Sequence, residues 1–369
     1  MSTRGSSSAA WATLALYALT HSAVDAVGAG VLWTAVHDGA IASGTAWSVF
    51  LIYNLLAFAI QPMVGLVVDR LGAARGTAAL GGLMTAAVVP LSVVPHGLFA
   101  AVGLAGLGNA VFHVGGGAAS LRFAPGRATP PGVFVAPGAA GLAWGIVIGR
   151  GGGPVWPFAG ALTVMAVAIL ARSVPVMPRG VTVRARREAR PAIELILLLL
   201  LFVVCVRSYV GLALAFPWKS QMHLLVALTA AVVLGKAFGG VLADRLGWRR
   251  VGVGALLVSL PLLALGTGSP AEGVAGALVF NMTMPVTLAA AGSLLPRHEG
   301  FAFGLTCLAL FGGAAPVLLG WTASLSALPL VLAAVPAAIA LWFGLGRLLG
   351  EARAPEAGIG LATTERGYS

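Results

Sequence analysis

The sequence predicts an all-α polytopic membrane protein with twelve transmembrane helices in two pseudo-symmetric six-helix bundles. The prediction rests on long apolar runs, a scarcity of charge, and a short motif that occurs once in each half. Hydrophobic residues make up 59% of the 369-residue chain and charged residues 9%, so polar side chains are too few to cover a water-soluble globule of this size. The runs are also long and continuous, without the alternation of a barrel strand.

Twelve apolar stretches have the length of about 20 residues that crosses the hydrocarbon core of a bilayer. Their predicted starts are Trp11, Gly44, Arg75, Gly97, Pro130, Pro154, Ala192, Met222, Arg250, Ala271, Gly300 and Ser326. With twelve spans in 369 residues, we expect short loops and no additional soluble domain. Only Arg4 precedes the first run and Asp25 interrupts it, so we expect a retained helix and not a cleaved signal.

The spans predict four regions. These are an N-terminal bundle at 1–173, a basic linker at 174–191, a C-terminal bundle at 192–349 and a disordered cytoplasmic tail at 350–369. The linker contains the densest charge run, from Arg179 to Arg190. We interpret it as a solvated segment between the bundles, with a regulatory lipid or protein contact as the alternative.

The distribution of cations predicts the orientation in the membrane. If the N-terminus is cytoplasmic, 18 of the 22 Lys and Arg residues lie on the cytoplasmic side, and only Arg150 and Lys219 lie on the other. The positive-inside rule therefore predicts an inner-membrane protein with both termini in the cytoplasm. The net charge of +11 then reflects topology and contact with anionic lipids. No basic patch interleaved with aromatic residues suggests a nucleic-acid partner.

Other chemistry is not indicated by the sequence. Cys205 and Cys307 lie inside apolar runs, where a buried thiol is expected, with no disulfide. The glycine runs at 115–117 and 151–153 lack the Lys-Ser/Thr of a phosphate loop, so no ATPase is expected. We expect no cofactor, no metal and no enzymatic activity, and a monomeric chain.

A recurring motif ends the second and eighth spans, 175 residues apart. Its residues and the basic residues that follow are Gly65, Asp69, Arg70, Gly72 and Arg75 in the first copy, and Gly240, Asp244, Arg245, Gly247, Arg249 and Arg250 in the second. Glycine lets a neighbouring helix approach closely. The aspartate can accept bonds from the free N–H groups of a facing helix or from an arginine. A contact of this kind that forms in one state only would be a conformational latch; the alternative is a simple interface turn.

Ionisable residues within the spans identify the candidate site, because charge in hydrocarbon is costly and usually faces the bundle interior. His21 and Asp25 lie four apart on span 1, and His113 lies four past Asn109 on span 4. Arg207 lies inside span 7, with Tyr209 nearby on a different face. Span 10 contains Asn281, followed by Pro285. Lys236 in span 8 either lines the cavity or snorkels to the interface.

These residues predict two roles. Asp25 is the expected proton carrier, assisted by His21 and His113, because a buried carboxyl group and a histidine can both exchange protons near neutral pH. Arg207 is the expected anchor for an anionic substrate, with Asn109, Asn281 and Tyr209 as further contacts and Asp25 as its counter-ion in the empty site. Packing roles for the histidines and a permanent Arg207–Asp25 strut remain open. Two histidines and one acid on separate helices show no spacing that selects a metal.

The two motif copies resemble the loop motif that follows the second and eighth helices of the major facilitator superfamily. Within that superfamily, the chain is most similar to the fosmidomycin-resistance type of efflux protein. The segments that carry this resemblance are Thr20-His21 with Asp25, Gln61-Pro62, Gly106 with Gly108-Asn109-Ala110-Val111-Phe112-His113, and Leu294-Leu295-Pro296-Arg297 with Gly300.

The resemblance implies a secondary active transporter that works by alternating access, with proton-coupled export by antiport. Together with Arg207, it predicts a small anionic or zwitterionic drug or metabolite as the substrate. The alternatives are an uptake permease and a non-transporting sensor. The chain departs from the family at Ala73-Ala74, which replaces a basic pair, and at Val114-Gly115, which lacks the acid that follows Phe-His. The drug specificity of the family is therefore not carried over.

Overall fold

The computed structural model describes residues 3–42, 44–172, 190–321 and 327–353. These residues form helices joined by short loops and contain no strand, so the predicted all-α fold is confirmed. The membrane helices are α1 (Thr3–His37), α2 (Ala46–Leu71), α3 (Ala74–Ser92), α4 (Leu98–Phe123), α5 (Thr129–Arg150), α6 (Trp156–Leu170), α7 (Arg190–Ala213), α8 (Met222–Leu246), α9 (Trp248–Gly266), α10 (Pro270–Leu294), α11 (Glu299–Leu318) and α12 (Ala327–Arg353). All but the shorter α6 have the length and apolar character of a membrane span, and the protein is a multi-pass membrane protein.

Most of the predicted linker and tail lie outside the described residues, which omit 173–189 and 354–369. In the described part, α7 begins at Arg190 and α12 continues to Arg353. Both helices therefore extend a few residues into regions that the sequence suggested were irregular.

Two helices are interrupted near prolines. In α2, a π-helical turn at Leu55–Ala59 precedes Gln61 and Pro62, and the Gln61 Nε2 donates to the Ala57 carbonyl oxygen at 2.6 Å. In α10, the helix breaks at Met282, three residues before Pro285. Proline has no N–H for the carbonyl four residues earlier, so nearby side chains satisfy backbone oxygens at these breaks.

The tightest helix pair is α1 with α5, which are held together by glycines. A Cβ atom added at Gly141, Gly145 or Gly149 would lie closer than 3.0 Å to backbone atoms of α1. Between helices in a bilayer, lipid tails are as apolar as leucine, so close van der Waals packing supplies the attraction that a hydrophobic core supplies in water. Glycine at three- and four-residue spacing provides this packing, and α1 contacts α5 more extensively than any other described pair of helices.

The two halves meet mainly at one end of the molecule. There, Gly65 of α2 packs on the backbone of Gly300 in α11, and Gly240 of α8 packs on the backbone of Ala128 before α5. Towards the other end, the Ala46–Asn54 part of α2 barely contacts α11. We call the closed end, which carries Asp69 and Asp244, the latch face. Among the described helices, α2 and α11 thus contact each other closely at the latch face and only slightly toward the opposite end.

The glycine packing predicts a stability effect for Gly141→Val. The valine side chain would collide with the backbone of Ser22, and overpacking of this kind costs about 1–3 kcal/mol. We expect a lower melting temperature for the purified protein in detergent. Gly160→Val on α6 is the matched control, because a Cβ there meets nothing within 4 Å. Equal melting temperatures for the two variants would contradict the proposed packing.

Candidate functional site: a buried histidine-aspartate cluster

Three ionisable side chains from two helices meet in the N-terminal half. His21 Nε2 lies 3.3 Å from Oδ2 of Asp25, and both residues are on α1. His113 Nε2 of α4 lies 3.7 Å from Asp25 Oδ1. Both histidines are buried, whereas the Asp25 side chain remains 16% exposed. The four-residue spacing places His21 and Asp25 on one face of α1, and helix packing adds His113.

The other ring nitrogens of the histidines are fixed by backbone carbonyls. His21 Nδ1 lies 2.9 Å from the carbonyl oxygen of Phe134 in α5, and His113 Nδ1 lies 2.9 Å from that of Asn109. The two imidazole rings pack edge to face with centroids 4.3 Å apart. Each ring is therefore held in one orientation, with Nε2 directed at Asp25.

Asn109 and Tyr53 complete the cluster. The Asn109 Nδ2 donates to Asp25 Oδ1 at 3.0 Å and lies 3.4 Å from the Tyr53 hydroxyl of α2. Asn109 is 1% exposed, and its Oδ1 has no hydrogen-bond partner in the described residues. Asn109 thus orients the carboxylate and presents a free acceptor. Tyr53 belongs to the same network.

Gly138 of α5 makes room for the cluster. A Cβ added at this position would collide with His21 Nε2 and lie 2.8 Å from Asp25 Oδ2. Pro137-Gly138 is a conspicuous pair in the sequence, but its position against His21 follows only from the packing of α1 on α5.

The cluster also has the composition of a small metal site. One ligating atom from each of His21, Asp25 and His113 lies within 4.8 Å of the others. From the sequence, we expected no metal because the residues lie on separate helices. The fold brings them together, so that reason does not hold in the structure.

Arg207 of α7 lies in the C-terminal half without an acidic partner. It is 8% exposed, its guanidinium carbon lies 5.2 Å from the centre of the Phe280 ring, and its Nε has no hydrogen-bond partner. No carboxylate of the described residues lies within 4.0 Å of it. The expected pairing with Asp25 is therefore not present, because Asp25 is engaged by the histidines.

Lys236 of α8 points at the boundary between the halves. Its Nζ lies 3.5 Å from the Val135 carbonyl oxygen. Val135 follows Phe134, whose carbonyl oxygen contacts His21. This contact places the ammonium group at the α5–α8 interface and does not correspond to snorkelling toward a membrane surface.

Two other predicted substrate contacts lie elsewhere. Asn281 donates from its Nδ2 to the Ala277 carbonyl oxygen of its own helix at 2.8 Å and lies beside Gly235 of α8. Tyr209 packs against the apolar core of the C-terminal half. The structure does not bring either residue to the histidine cluster.

At the latch face, Asp69 caps a helix of the opposite half. Its carboxylate accepts from the backbone N–H groups of Gly300 and Phe301 at 3.0 and 2.8 Å and from the Arg122 Nη2 at 2.7 Å. Arg122 also donates from its Nε to Glu299 at 2.9 Å. The Asp69 side chain is only 2% exposed. Asp69 thus joins the end of α2 to the first turn of α11.

Asp244 makes the corresponding contact in the opposite direction. It accepts from the backbone N–H groups of Ala128 and Thr129 at 2.7 and 2.9 Å and from the Thr129 hydroxyl at 2.6 Å. The Trp248 Nε1 donates to it at 3.2 Å. The end of α8 therefore caps the start of α5, and the two contacts are related by the internal pseudo-symmetry.

The remaining motif residues have different local roles. Gly72 and Gly247 end their helices with φ of 62° and 99°, values that favour glycine. Arg70, Arg245 and Arg250 are exposed. Arg75 lies 3.5 Å from the Arg172 carbonyl oxygen, and the Arg249 guanidinium stacks 3.4 Å from the Trp342 ring centre. The arginine that pairs with Asp69 is Arg122, which sequence reasoning missed.

Comparison with known proteins establishes the fold. No family model matches the sequence, and no curated protein matches it. Among solved structures, the chain is similar to a crystal structure of a single-residue variant of the E. coli fucose:proton symporter FucP. The TM-score is 0.59 at 11% identity, over 92% of this chain and 97% of that one. The chain has the fold of the major facilitator transporters.

The capping contacts predict a shift in the conformational equilibrium for Asp244→Asn. Loss of the negative charge at the start of α5 removes about 0.3–2 kcal/mol, which corresponds to an increase of about two- to thirtyfold in opening at the latch face. Opening is measured by the labelling rate of Leu121→Cys, because Leu121 packs against Gly292 of the opposite half. The label is a membrane-impermeant thiol reagent, and the variant lacks Cys205 and Cys307.

Arg245→Gln serves as the control, since Arg245 is exposed and forms no ion pair among the described residues. Labelling that is equally slow in Asp244→Asn and in this control would show that the cap does not hold the face closed.

Proposed function

We propose that the protein is a proton-coupled secondary transporter of the major facilitator superfamily, most similar in type to the fosmidomycin-resistance exporters. It moves a small anionic or zwitterionic drug or metabolite by alternating access. The observation that carries this proposal is the separation of charge inside the membrane. A histidine-aspartate cluster lies in the N-terminal half, and an arginine with no carboxylate partner among the described residues lies in the C-terminal half.

Arg207 supports an anionic group on the substrate. A buried cation without a counter-ion is costly in a membrane. A carboxylate, phosphate or phosphonate of the substrate would supply the negative charge that the Arg207 guanidinium lacks. The planar guanidinium can bind such groups with two parallel hydrogen bonds. Lys236 adds a second positive charge, which acts on the same region as Arg207 and Asp25.

The histidine-aspartate cluster supports proton coupling. Asp25, His21 and His113 are groups that can bind and release a proton, and the free Oδ1 of Asn109 offers the substrate an acceptor beside them. Opening and closing of the two capping contacts at the latch face would expose this region to each side in turn. By the positive-inside rule, we place the latch face in the cytoplasm.

Uptake by symport is the second candidate, and electrostatics favour it for a simple anion. Protonation makes the cluster more positive and so strengthens anion binding, which means that proton and anion bind cooperatively. The solved structure of similar fold is itself named a fucose:proton symporter. A zwitterion behaves differently, because its cationic group would compete with the proton at Asp25. Export by antiport therefore fits a zwitterionic substrate best.

Flux in proteoliposomes tests the proposal. We expect a pH gradient to drive accumulation of at least one organic anion or zwitterion from a panel identified by metabolite and drug-resistance profiles of cells with and without the protein. Absence of flux and of counterflow for every compound would favour a sensor.

Arg207→Gln tests the anchor role. Loss of a charged hydrogen bond costs about 1.5–3 kcal/mol, so we expect the substrate affinity to fall about tenfold to hundredfold. Lys219→Gln in the loop before α8 is the control, because Lys219 lies outside the helices that carry the cluster. Unchanged affinity in Arg207→Gln would contradict anion binding at this residue.

A further inference from the structure

We infer that the coupling proton resides on Nε2 of His21, where an ionised Asp25 shares it, and not on the Asp25 carboxyl group. The sequence suggested Asp25 as the carrier, with histidine as its helper. The structure favours the reverse assignment, because the Asn109 amide donates to Asp25 Oδ1 and the Lys236 charge acts on Asp25, and both interactions favour the ionised carboxylate. The role of this proton in transport rests on the proposed function, whereas its location does not.

The backbone determines the tautomer of both histidines. The carbonyl oxygens of Phe134 and Asn109 can only accept hydrogen bonds. Each lies 2.9 Å from a histidine Nδ1, so each Nδ1 must carry the hydrogen that is donated. In a neutral imidazole the other nitrogen is then a bare acceptor. The Nε2 atoms of His21 and His113 are therefore the only sites on the rings that gain or lose a proton.

Both acceptor nitrogens face a carboxylate, which also accepts only. Without a bound cation, the His21 Nε2 lone pair would face Asp25 Oδ2 at 3.3 Å, and two buried acceptors at this distance repel each other. One proton on Nε2 converts this contact into a charge-assisted hydrogen bond. The contact thus needs a hydrogen between Nε2 and Oδ2, and the Asn109 amide on Oδ1 favours an ionised Asp25 with that hydrogen on His21.

His21 is a better site for this proton than His113. The His113 Nε2 lies 3.7 Å from Asp25 Oδ1, beyond hydrogen-bond distance. The same Oδ1 already accepts the amide of Asn109 at 3.0 Å. Asp25 Oδ2 has no other donor among the described residues and is the oxygen that faces His21. The hydrogen-bond pattern therefore assigns one proton to one ring.

Neighbouring charges limit the cluster to a single proton. The titratable or charged groups around it are Tyr53 on α2, Arg207 on α7, Lys236 on α8 and Cys307 on α11, and α5 contributes none. Lys236 interacts with His113 and repels a charge there. A second proton, on His113, would place two imidazolium groups 4.3 Å apart, centre to centre, with only one carboxylate between them.

Nitrogen-15 NMR of histidine-labelled protein tests the assignment directly. The shifts of the two ring nitrogens distinguish the imidazolium ion from each neutral tautomer. In neutral buffer, we expect His21 to be an imidazolium ion and His113 a neutral ring with hydrogen on Nδ1. The His21→Gln and His113→Gln spectra assign the signals. A neutral His21, or hydrogen on Nε2 of a neutral His113, would overturn the inference.

A metal ion is the competing explanation, because it could also separate the nitrogen atoms from the carboxylate. Addition of EDTA should leave the His21 signals unchanged if the cation is a proton. A change on chelation that zinc reverses would overturn the assignment in favour of a metal. Infrared difference spectra against Asp25→Asn supply an independent measurement. A protonated-carboxyl band that Asp25→Asn removes would show that Asp25 is the carrier.

Transport assays of the His21→Gln variant distinguish a loss of proton coupling from a loss of folding. The glutamine amide can donate to Asp25 in place of Nε2 but cannot lose a proton at physiological pH. We expect substrate exchange to persist while pH-gradient-driven accumulation falls about 5- to 150-fold, the usual range of a coupling energy. His223→Gln at the exposed start of α8 should retain both activities. Full pH-driven accumulation in His21→Gln would overturn the inference.

The outcomes distinguish the two proposals. If wild-type protein shows no flux for any compound, the proposed function fails while the NMR assignment can still stand. If wild-type protein transports but His21 is neutral, only the inference fails.

Discussion

A helix that begins inside a closed membrane protein must find partners for its first N–H groups without help from bulk water, and this constraint organises the contact between the halves. Here α5 and α11 each begin on an aspartate from the opposite half, Asp244 and Asp69. If the halves separated at the latch face, as the proposed function requires, both helices would lose these partners, and water would have to replace them. The closed and open states would then differ by a defined set of hydrogen bonds, which favours a two-state transition over a continuous one.

Helix α5 connects this closure to the titratable cluster. Its first residue, Thr129, is capped by Asp244, and its Phe134 carbonyl holds His21, about 7 Å further along at 1.5 Å per residue. The glycine packing of α5 on α1 leaves little freedom for either helix to move alone. A displacement of α8 would thus be transmitted to His21 by α5 alone. The packing of α5 against both α8 and α1 is therefore a structural route that connects the latch face to the cluster.

The sequence was informative where one helix decides the outcome. Hydropathy predicts the spans because their length is set by the bilayer, and the four-residue spacing of His21 and Asp25 predicts their proximity on α1. Side-chain contacts between different helices were harder to predict from the sequence. Arg207 was expected to pair with Asp25, but the packing of α1 and α4 places Asp25 against His113. Arg122 and Glu299 went unnoticed although a basic residue ending α4 and an acid starting α11 are both favourable positions. Their partnership depends on the tilt of the two helices, which periodicity does not encode.

The balance of charge around the interior narrows the chemistry further. With one proton on the cluster, Asp25 is neutralised by His21, and Arg207 and Lys236 remain as uncompensated cations. Loss of the proton leaves one negative and two positive charges, so the region stays positive in both states. Under the proposed function, an anion would therefore be attracted throughout the cycle, and the proton would only change the strength of that attraction. A substrate that must displace the proton needs a cationic group near Asp25 as well as an anionic group for Arg207. Asp25 and Arg207 lie in opposite halves, so under the proposed function a molecule that carries both charges would bridge them as the halves close, whereas a simple anion would bind one half strongly and the other weakly.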